Sequence, residues 1–338
     1  MRRIKIAQIG LNRYSHSGEI LDTMKSMPEV FDLVGYALVE DERETCQKKM
    51  KHLEGCRELT LEQILEDPTI EAVTIETDEI HLNKYAQMAL EHGKHVHMEK
   101  PGSQDPESFR RLIETVKAGD KVFHVGYMFR YNPFISEAVR RARAGELGLI
   151  YSIEAQMSRF DDPECREWFG TFKGGMMFYL GCHLIDLILQ IQGMPEKIIP
   201  VNTVTGIDGI HTEDLGFAVL QYPNAVSVIR MGGTEVGGAR RRQLVVCGSK
   251  ETLELRPLEH SERALGKYML TTGRYRAVMQ PGQSKAAVTE DRSEPFDRYR
   301  DMLLAFAAMV RGEKKNPYTA DYELALFETV LRCCGMEL

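Results

Sequence analysis

The stretch IAQIGLNRYSHSGEIL, residues 6–21, decides the fold that we expect for the first part of the chain. Residues 4–9 form a short apolar run, and the apolar side chains of residues 20–27 then recur at helical spacing. A buried strand, a turn that opens at Gly10 and a helix together form the first unit of a doubly wound α/β fold.

The turn itself departs from the G-x-G-x-x-G pattern of dinucleotide-binding turns, because Asn12 and Ser15 stand where that pattern has glycine. Gly10 still permits a tight turn, and asparagine tolerates a positive φ better than most residues. Ser15 suits a helix start, and Arg13 adds a charge that could face a phosphate near the helix N-terminus. We therefore interpret the turn as changed rather than lost.

Strands and helices continue to alternate after this turn, which predicts a parallel sheet covered by helices on both faces. We expect residues 1–126 to form this Rossmann-type domain. The predicted strands after the first are residues 31–40, 70–77, 94–100 and 121–127, and the clearest helices are residues 82–90 and the segment from 105 to 116.

The pattern changes after residue 127, where period-two alternation and turn signals predict antiparallel strands. Residues 127–338 are expected to form an α+β domain on an open, mainly antiparallel sheet. Its predicted elements are a strand at 150–157, a helix at 176–192, hairpins at 217–231 and 243–258, and helices at about 295–311 and 319–334, which pack on this sheet or return to the first domain.

The composition excludes some classes of protein. With a net charge of -7, the 338-residue chain lacks the positive field of a nucleic-acid or anionic-membrane protein, and we interpret the basic run Arg240–Arg242 as a solvated strand end. No apolar run approaches the ~18 residues of a membrane span. The seven cysteines show no zinc-like spacing. We expect a cytoplasmic protein with free thiols, no metal site, and neither a nucleic-acid nor a membrane partner.

Lys100 is the first candidate for chemistry, since HVHMEKPG (95–102) places it at the carboxyl end of a predicted parallel strand. Ligands of open α/β sheets bind at this edge. A lysine there could transfer a proton to or from a hydroxyl if its surroundings lowered its pKa. A solvent-facing lysine at a strand end is the alternative.

Three stretches in order resemble the Gfo/Idh/MocA family of NAD(P)-dependent oxidoreductases. They are GKHVHMEKP (93–101), GYMFRYNP (126–133) and GGMMFYLGCHLIDL (174–187), and the resemblance runs nearly end to end. It implies a Rossmann domain joined to a substrate domain, with a nicotinamide cofactor, NAD or NADP, in the cleft between them. The implied reaction moves a hydride between the nicotinamide and a hydroxyl or ketone carbon of a sugar or cyclitol.

The resemblance also implies roles for particular residues. Catalytic roles fall on Lys100, His183 and Tyr179, and substrate contacts fall on Arg130, Trp168 and His183. Cofactor contacts fall on Gly10, Leu11, Asn12, Arg13, Thr77, His81, Glu99 and Lys100.

Helical spacing supports part of this, because Tyr179, His183 and Asp186 at i, i+4 and i+7 would share one helix face. Alternatives stay open: His183 and Asp186 could pair with each other, and Tyr179, where many relatives have an acid, could be a packed aromatic. Arg130 could bind substrate or tie the domains together, and Trp168 could line the sugar site or a core.

Two further positions depart from the family pattern. Leu38 stands where an acid usually binds the ribose hydroxyls, and Glu76-Thr77-Asp78-Glu79 replaces the usual A-T-P-N. The choice between NAD and NADP stays open, and a ligand-binding or regulatory protein without catalysis is the second hypothesis. The resemblance further implies a homodimer or homotetramer formed through the open sheet.

Overall fold

A five-stranded parallel sheet, in the order β2-β1-β3-β4-β5, organises the first part of the chain. The structure is a computed structural model that describes residues 2–264 and 267–338. The strands are β1 (Ile4–Ile9), β2 (Phe31–Ala37), β3 (Ala72–Ile75), β4 (His95–Met98) and β5 (Phe123–Val125). The helices between them are α1 (Ser17–Lys25), α2 (Glu42–Thr45), α3 (Leu61–Glu66), α4 (Leu82–Glu91) and α5 (Pro106–Ala118).

This strand order creates a switch point, because β1 has β2 on one side and β3 on the other. The chain leaves β1 and β3 at the same edge of the sheet, where ligands of such folds bind. Strands β1, β3 and β4 are almost completely buried, as expected of parallel strands covered on both faces. The segments that follow these three strands carry the first group of candidate site residues.

An eight-stranded mixed sheet organises the next part, in the order β15-β14-β11-β10-β6-β9-β8-β7. Only the contact between β6 and β9 is parallel among the described strand pairs of this sheet. The elements in chain order are α6 (Pro133–Arg143), β6 (Ile150–Ser158), α7 (Pro163–Trp168), α8 (Cys182–Gln192), β7 (Lys197–Pro200), β8 (Leu215–Tyr222), β9 (Ala225–Gly232), β10 (Gln243–Gly248), β11 (Glu251–Leu255), β12 (His260–Ala264), β13 (Lys267–Thr271), β14 (Gly273–Val278) and β15 (Ala287–Arg292).

Two helices close the chain, α9 (Arg300–Val310) and α10 (Ala320–Cys333). The chain divides into two units, Met1–Tyr127 with Tyr299–Phe327, and Met128–Arg298 with Glu328–Leu338. In the first unit, the Phe327 ring stacks on Phe109 of α5 with ring centroids 3.9 Å apart. The predicted α/β class, with a parallel sheet followed by a mainly antiparallel one, is confirmed.

The helices of the second unit pack on one face of its sheet. Helix α8 is buried along nearly its whole length, whereas residues of β8 and β9 alternate between buried and more exposed positions. This alternation is typical of a sheet that buries one face only. Among the described residues, no helix is both long and apolar enough to cross a membrane.

Candidate active site

The turn after β1 keeps the tight geometry that Gly10 was expected to allow. Gly10 has φ +90°, and a Cβ added there would lie 2.6 Å from the backbone nitrogen of Thr77. A side chain at this position would collide with the segment that follows β3, so the close approach of the two segments requires glycine. Gly10 and Thr77 are therefore neighbours at the switch point.

Asn12 binds the turn internally. Its Oδ1 accepts hydrogen bonds from the backbone N–H groups of Tyr14, at 2.8 Å, and Ser15, at 3.0 Å. Its Nδ2 donates to Glu79 Oε2 at 2.9 Å. The amide side chain thus occupies two N–H groups of the turn, the kind of donor that would otherwise be available to a phosphate oxygen.

The other predicted cofactor residues lie near the same edge. Leu11 and Thr77 are buried, and the Arg13 guanidinium lies over the ring of Tyr14 with 4.8 Å between its Cζ and the ring centroid. His81 Nδ1 lies 3.7 Å from Glu40 Oε1. The structure thus brings Leu11 and Thr77 into the buried centre of this region, while Arg13 and His81 lie nearer its surface.

Glu42 is a candidate that the sequence analysis missed. It is 3% exposed, and its Oε2 accepts the Val39 N–H at 2.9 Å, while Oε1 is buried without a hydrogen-bond partner among the described residues. Burial raises the pKa of Glu42 to about 7, although Thr77 and the backbone of Val39 and Leu11 oppose this shift. A carboxyl group therefore lies beside the Gly10 turn even though Leu38 supplies none.

Lys100 lies just beyond the end of β4 and is 5% exposed, so the alternative of a solvent-facing lysine is wrong. Its Nζ is 3.3 Å from Glu99 Oε1. The Lys100–Pro101 peptide bond is cis. Burial raises the pKa of Glu99, and the adjacent ammonium of Lys100 opposes that shift.

Two more buried carboxyls, Glu76 and Glu79, interact electrostatically with this lysine. We call Glu76, Glu79 and Glu99 the acid cluster. Glu76 and Glu79 are 0% exposed. Burial raises the pKa of Glu79 to about 8 and that of Glu76 well above its ordinary value, with Lys100 opposing both shifts. Near neutral pH, Glu79 is therefore mostly protonated, and burial likewise favours the neutral form of Glu76.

A pair of buried histidines lies next to Glu76. His97 of β4 and His124 of β5 approach to 2.8 Å between their Nδ1 atoms, and His97 Nε2 lies 3.8 Å from Glu76 Oε1. Burial lowers the pKa of His97 to about 3, so its ring is neutral. His97 consequently adds no positive charge that would keep Glu76 ionised.

In the second unit, a π-helical turn at Met177–Gly181, which contains Tyr179, precedes α8. The turn begins after Gly175, where φ is +41° and an added Cβ would lie 2.3 Å from the Glu213 carbonyl oxygen. The Tyr179 ring packs edge-on against Trp168, with centroids 5.0 Å apart. Trp168, 6% exposed, also contacts Phe172, so it belongs to an aromatic cluster.

His183 and Asp186 are both buried on α8 but have different neighbours. The His183 ring contacts Phe129 edge-on, with centroids 5.4 Å apart. Asp186 accepts two hydrogen bonds from Arg130, to Oδ2 from Nε at 3.0 Å and to Oδ1 from Nη2 at 2.8 Å. Arg130 is thus held in a buried ion pair within the second unit, and breaking such a pair costs about 3–5 kcal/mol.

The interpretation of Arg240–Arg242 as a solvated strand end is wrong for Arg242. Only 13% of its side chain is exposed, and its Nη1 lies 3.5 Å from Glu259 Oε2. Nothing in the run of three arginines distinguishes this residue by sequence. Its burial depends on Glu259, which lies 17 positions further along the chain.

The comparisons with known proteins match both parts of the chain. Residues 4–127 match the model of an oxidoreductase family with an NAD-binding Rossmann fold, and residues 135–254 match the model of a GFO/IDH/MocA C-terminal domain. The boundary between the two matches falls near the boundary between the two units.

Curated relatives agree with these models. The chain is 26% identical over 280 residues to an uncharacterized oxidoreductase of Rhizobium meliloti, covering 80% of this chain and 78% of that protein. It is 25% identical over 248 residues to the scyllo-inositol 2-dehydrogenase (NADP(+)) of Bacillus subtilis, covering 72% and 67%.

Solved structures show the same fold. A levoglucosan dehydrogenase in complex with NADH and levoglucosan superposes with a TM-score of 0.78 at 16% identity, covering 99% of this chain and 98% of that chain. The UDP-N-acetylglucosamine 3-dehydrogenase of Acidithiobacillus ferrooxidans gives a TM-score of 0.73 at 18% identity, covering 98% and 96%.

Proposed function

Because the chain belongs to the Gfo/Idh/MocA family of NAD(P)-dependent oxidoreductases, we propose that it interconverts a hydroxyl and a ketone on a sugar, cyclitol or related polyol. The bound nicotinamide supplies or accepts the hydride. The relatives named for scyllo-inositol and levoglucosan support this substrate class. The hypothesis of a non-catalytic family member has no support from these comparisons.

Lys100 carries the proposal, because it is a buried lysine at the carboxyl end of β4 whose ammonium is held 3.3 Å from Glu99. We assign it the transfer of the hydroxyl proton, with His183 as the second group that handles this proton. Tyr179, a phenol, can donate or accept a hydrogen bond to the substrate.

The residues near Gly10 are compatible with dinucleotide binding, although the turn differs from the usual glycine-rich one. Gly10 allows the backbone to approach closely, and Glu42 offers a buried carboxyl oxygen beside the turn. We propose that Glu42 binds the ribose hydroxyls in place of the acid absent at Leu38, which favours NAD over NADP. Since Asn12 takes two N–H groups of the turn, Arg13 and the start of α1 are left to bind the phosphates.

Oligomerisation through the open sheet stays part of the proposal. Residues of β8 and β9 that are not buried include Phe217, Val219, Val226 and Val228, which give this face an apolar centre. Large apolar patches seldom stay bare in monomers. A homodimer or homotetramer is therefore expected, and light scattering that shows a monomer would contradict it.

The test of function is a hydride-transfer screen with both nicotinamides against neutral and acidic sugars and inositols. With an active substrate, Lys100→Ala is expected to lower kcat by about 100-fold or more, the usual contribution of a general acid–base group. Lys100→Arg keeps the charge beside Glu99 but not the proton transfer, so it should also be slow while remaining folded. Full activity in both variants would exclude this role of Lys100.

A further inference from the structure

One arginine lies over the Tyr179 ring in the second unit, and two more arginines belong to the same group of charges; none of the three belongs to the residues assigned above. We call Arg159, Arg242 and Arg298, with the carboxylates of Asp161 and Glu259, the arginine cluster. The Arg159 guanidinium lies over the Tyr179 ring, with its Cζ 5.2 Å from the centroid. The cluster therefore reaches one of the residues proposed to contact substrate.

Arg242 has little compensation for its charge. Glu259 is held by Arg298, which donates from Nε to Oε1 at 2.8 Å and from Nη2 to Oε2 at 2.7 Å. Arg242 shares that carboxylate only at 3.5 Å, and its Nε donates to the Ser158 carbonyl at 3.4 Å. Among the residues that the structure describes, Arg242 has no carboxylate of its own.

Arg159 directly follows β6, and Arg242 directly precedes β10, the antiparallel neighbour of β6. The Nε of Arg159 donates to Asp161 Oδ2 at 2.7 Å, and its Nη2 approaches Cys165 Sγ at 3.6 Å. Arg242 donates to the carbonyl of Ser158, the residue before Arg159, and the charge of Arg159 acts on Arg242. Burial lowers the pKa of Arg242 most; Glu259 and Asp161 oppose this shift, and the charges of Arg298 and Arg159 lower the pKa further.

A guanidinium cannot relieve this crowding by losing its proton, since arginine stays charged in proteins. The remaining relief is an anion. The side chains of Arg242 and Arg159 keep 13% and 22% of their surface exposed, so a ligand can reach them. Arginine donors match the planar oxygens of carboxylate and phosphate groups.

We infer that the substrate is an acidic sugar or cyclitol, whose carboxylate or phosphate oxygens are bound by Arg159 and Arg242 beside Tyr179. This inference rests on the proposed function, because it places the anionic group next to a residue of the proposed substrate site. A neutral polyol would leave the two guanidinium groups facing water, whereas an oxyanion would form charge-assisted hydrogen bonds with them.

The test is calorimetric titration of the protein, in the presence of NAD, with glucuronate, glucose 6-phosphate and glucose. At least one acidic sugar is expected to bind about tenfold or more tightly than glucose, a difference of about 1.4 kcal/mol, and to lose affinity as salt is raised. Preference for glucuronate identifies a carboxylate, and preference for glucose 6-phosphate a phosphate. Equal or absent binding of the three sugars would overturn the inference.

Variants of Arg242 test whether this residue causes the preference for an acidic sugar. Arg242→Gln is expected to remove the preference for the acidic sugar while glucose binds as before, and Arg242→Lys to retain part of it, since charge persists without the planar donors. Arg240→Gln, an exposed arginine two positions away, is the matched control and should bind as the parent does. An unchanged preference in folded Arg242→Gln would contradict the assignment.

Turnover assays test the proposed function separately from the acidic-substrate inference. Turnover of neutral polyols with no preference for acidic ones would overturn the acidic-substrate inference and leave the oxidoreductase proposal intact. Absence of hydride transfer with every sugar and both nicotinamides would instead count against the proposed function, whatever the acidic sugars bind.

Discussion

The acid cluster of the first unit and the arginine cluster of the second place like charges together but resolve the crowding differently. Around Lys100, burial raises the pKa values of Glu76 and Glu79 and so favours their neutral forms. Around Glu259, the guanidinium groups stay charged, because arginine does not deprotonate in proteins. A crowded acid site can therefore exist without a ligand, whereas a crowded arginine site is completed by an anion.

The comparison predicts opposite effects when one carboxyl is removed from each cluster. Glu259→Gln should destabilise the protein by about 3–5 kcal/mol, because it leaves Arg298 and Arg242 buried without their shared carboxylate. The loss should be similar between pH 6 and 9, since the guanidinium groups left behind stay charged throughout this range. Urea unfolding at several pH values measures it, and a stability equal to the parent would show that Glu259 does not hold the arginines.

Glu79→Gln should stabilise the protein at alkaline pH, whereas Glu259→Gln should destabilise it. The raised pKa of Glu79, about 8, means that its contribution to stability is complete below about 4.5 and is lost as pH rises through 8. Glutamine keeps an acceptor for Asn12 Nδ2 but cannot ionise. As pH rises from 6 to 9, the free energy of unfolding of the variant should therefore increase by roughly 2–3 kcal/mol relative to that of the parent.

Thermal melts from pH 5 to 9 measure this gain, with Glu107→Gln, an exposed glutamate of the same unit, as the control. The control should follow the parent at every pH. If the melting temperatures of Glu79→Gln and the parent keep a constant difference over this range, Glu79 does not titrate as its burial requires.

Glu42→Gln gives the smallest expected effect and extends the comparison to a third buried carboxyl. We expect NAD to bind about tenfold more weakly, since one acceptor of ribose hydroxyl hydrogens becomes a neutral amide. Because the pKa of Glu42 is about 7, the affinity of the parent for NAD should also fall as pH drops below 7. Titration by nicotinamide fluorescence with NADH tests both.

The control for this prediction is NADPH, whose binding the same substitution should weaken less or improve. An NADH affinity that is independent of pH and unchanged in Glu42→Gln would assign Glu42 to the structure of the turn alone. The hydrogen bond from Val39 N–H to Oε2 would then account for its burial.

Much of the fold could be predicted from the sequence, because periodicity and turn residues act locally. The strand at residues 4–9 and the hairpins predicted to turn at 223–224 and 248–249 were found in this way. Residues 176–192 were predicted as one helix, whereas Met177–Gly181 forms a π-turn. A nonlocal contact accompanies this turn, since a Cβ on Gly175 would lie 2.3 Å from the Glu213 carbonyl oxygen.

The candidate site likewise has features that local sequence predicts and features that depend on the tertiary structure. Residue types in order were enough to single out Lys100, His183 and the altered turn, because catalytic and phosphate-binding positions recur at fixed places in the chain of such a fold. The charges that surround each residue could not be predicted from the sequence. The burial of Glu79, the ion pair of Arg130 with Asp186, and the separation of Arg242 from its exposed neighbours depend on partners brought together by folding. Since a pKa is set by burial and nearby charges, only the tertiary structure decided which carboxyls have raised pKa values and which arginines are buried beside one another.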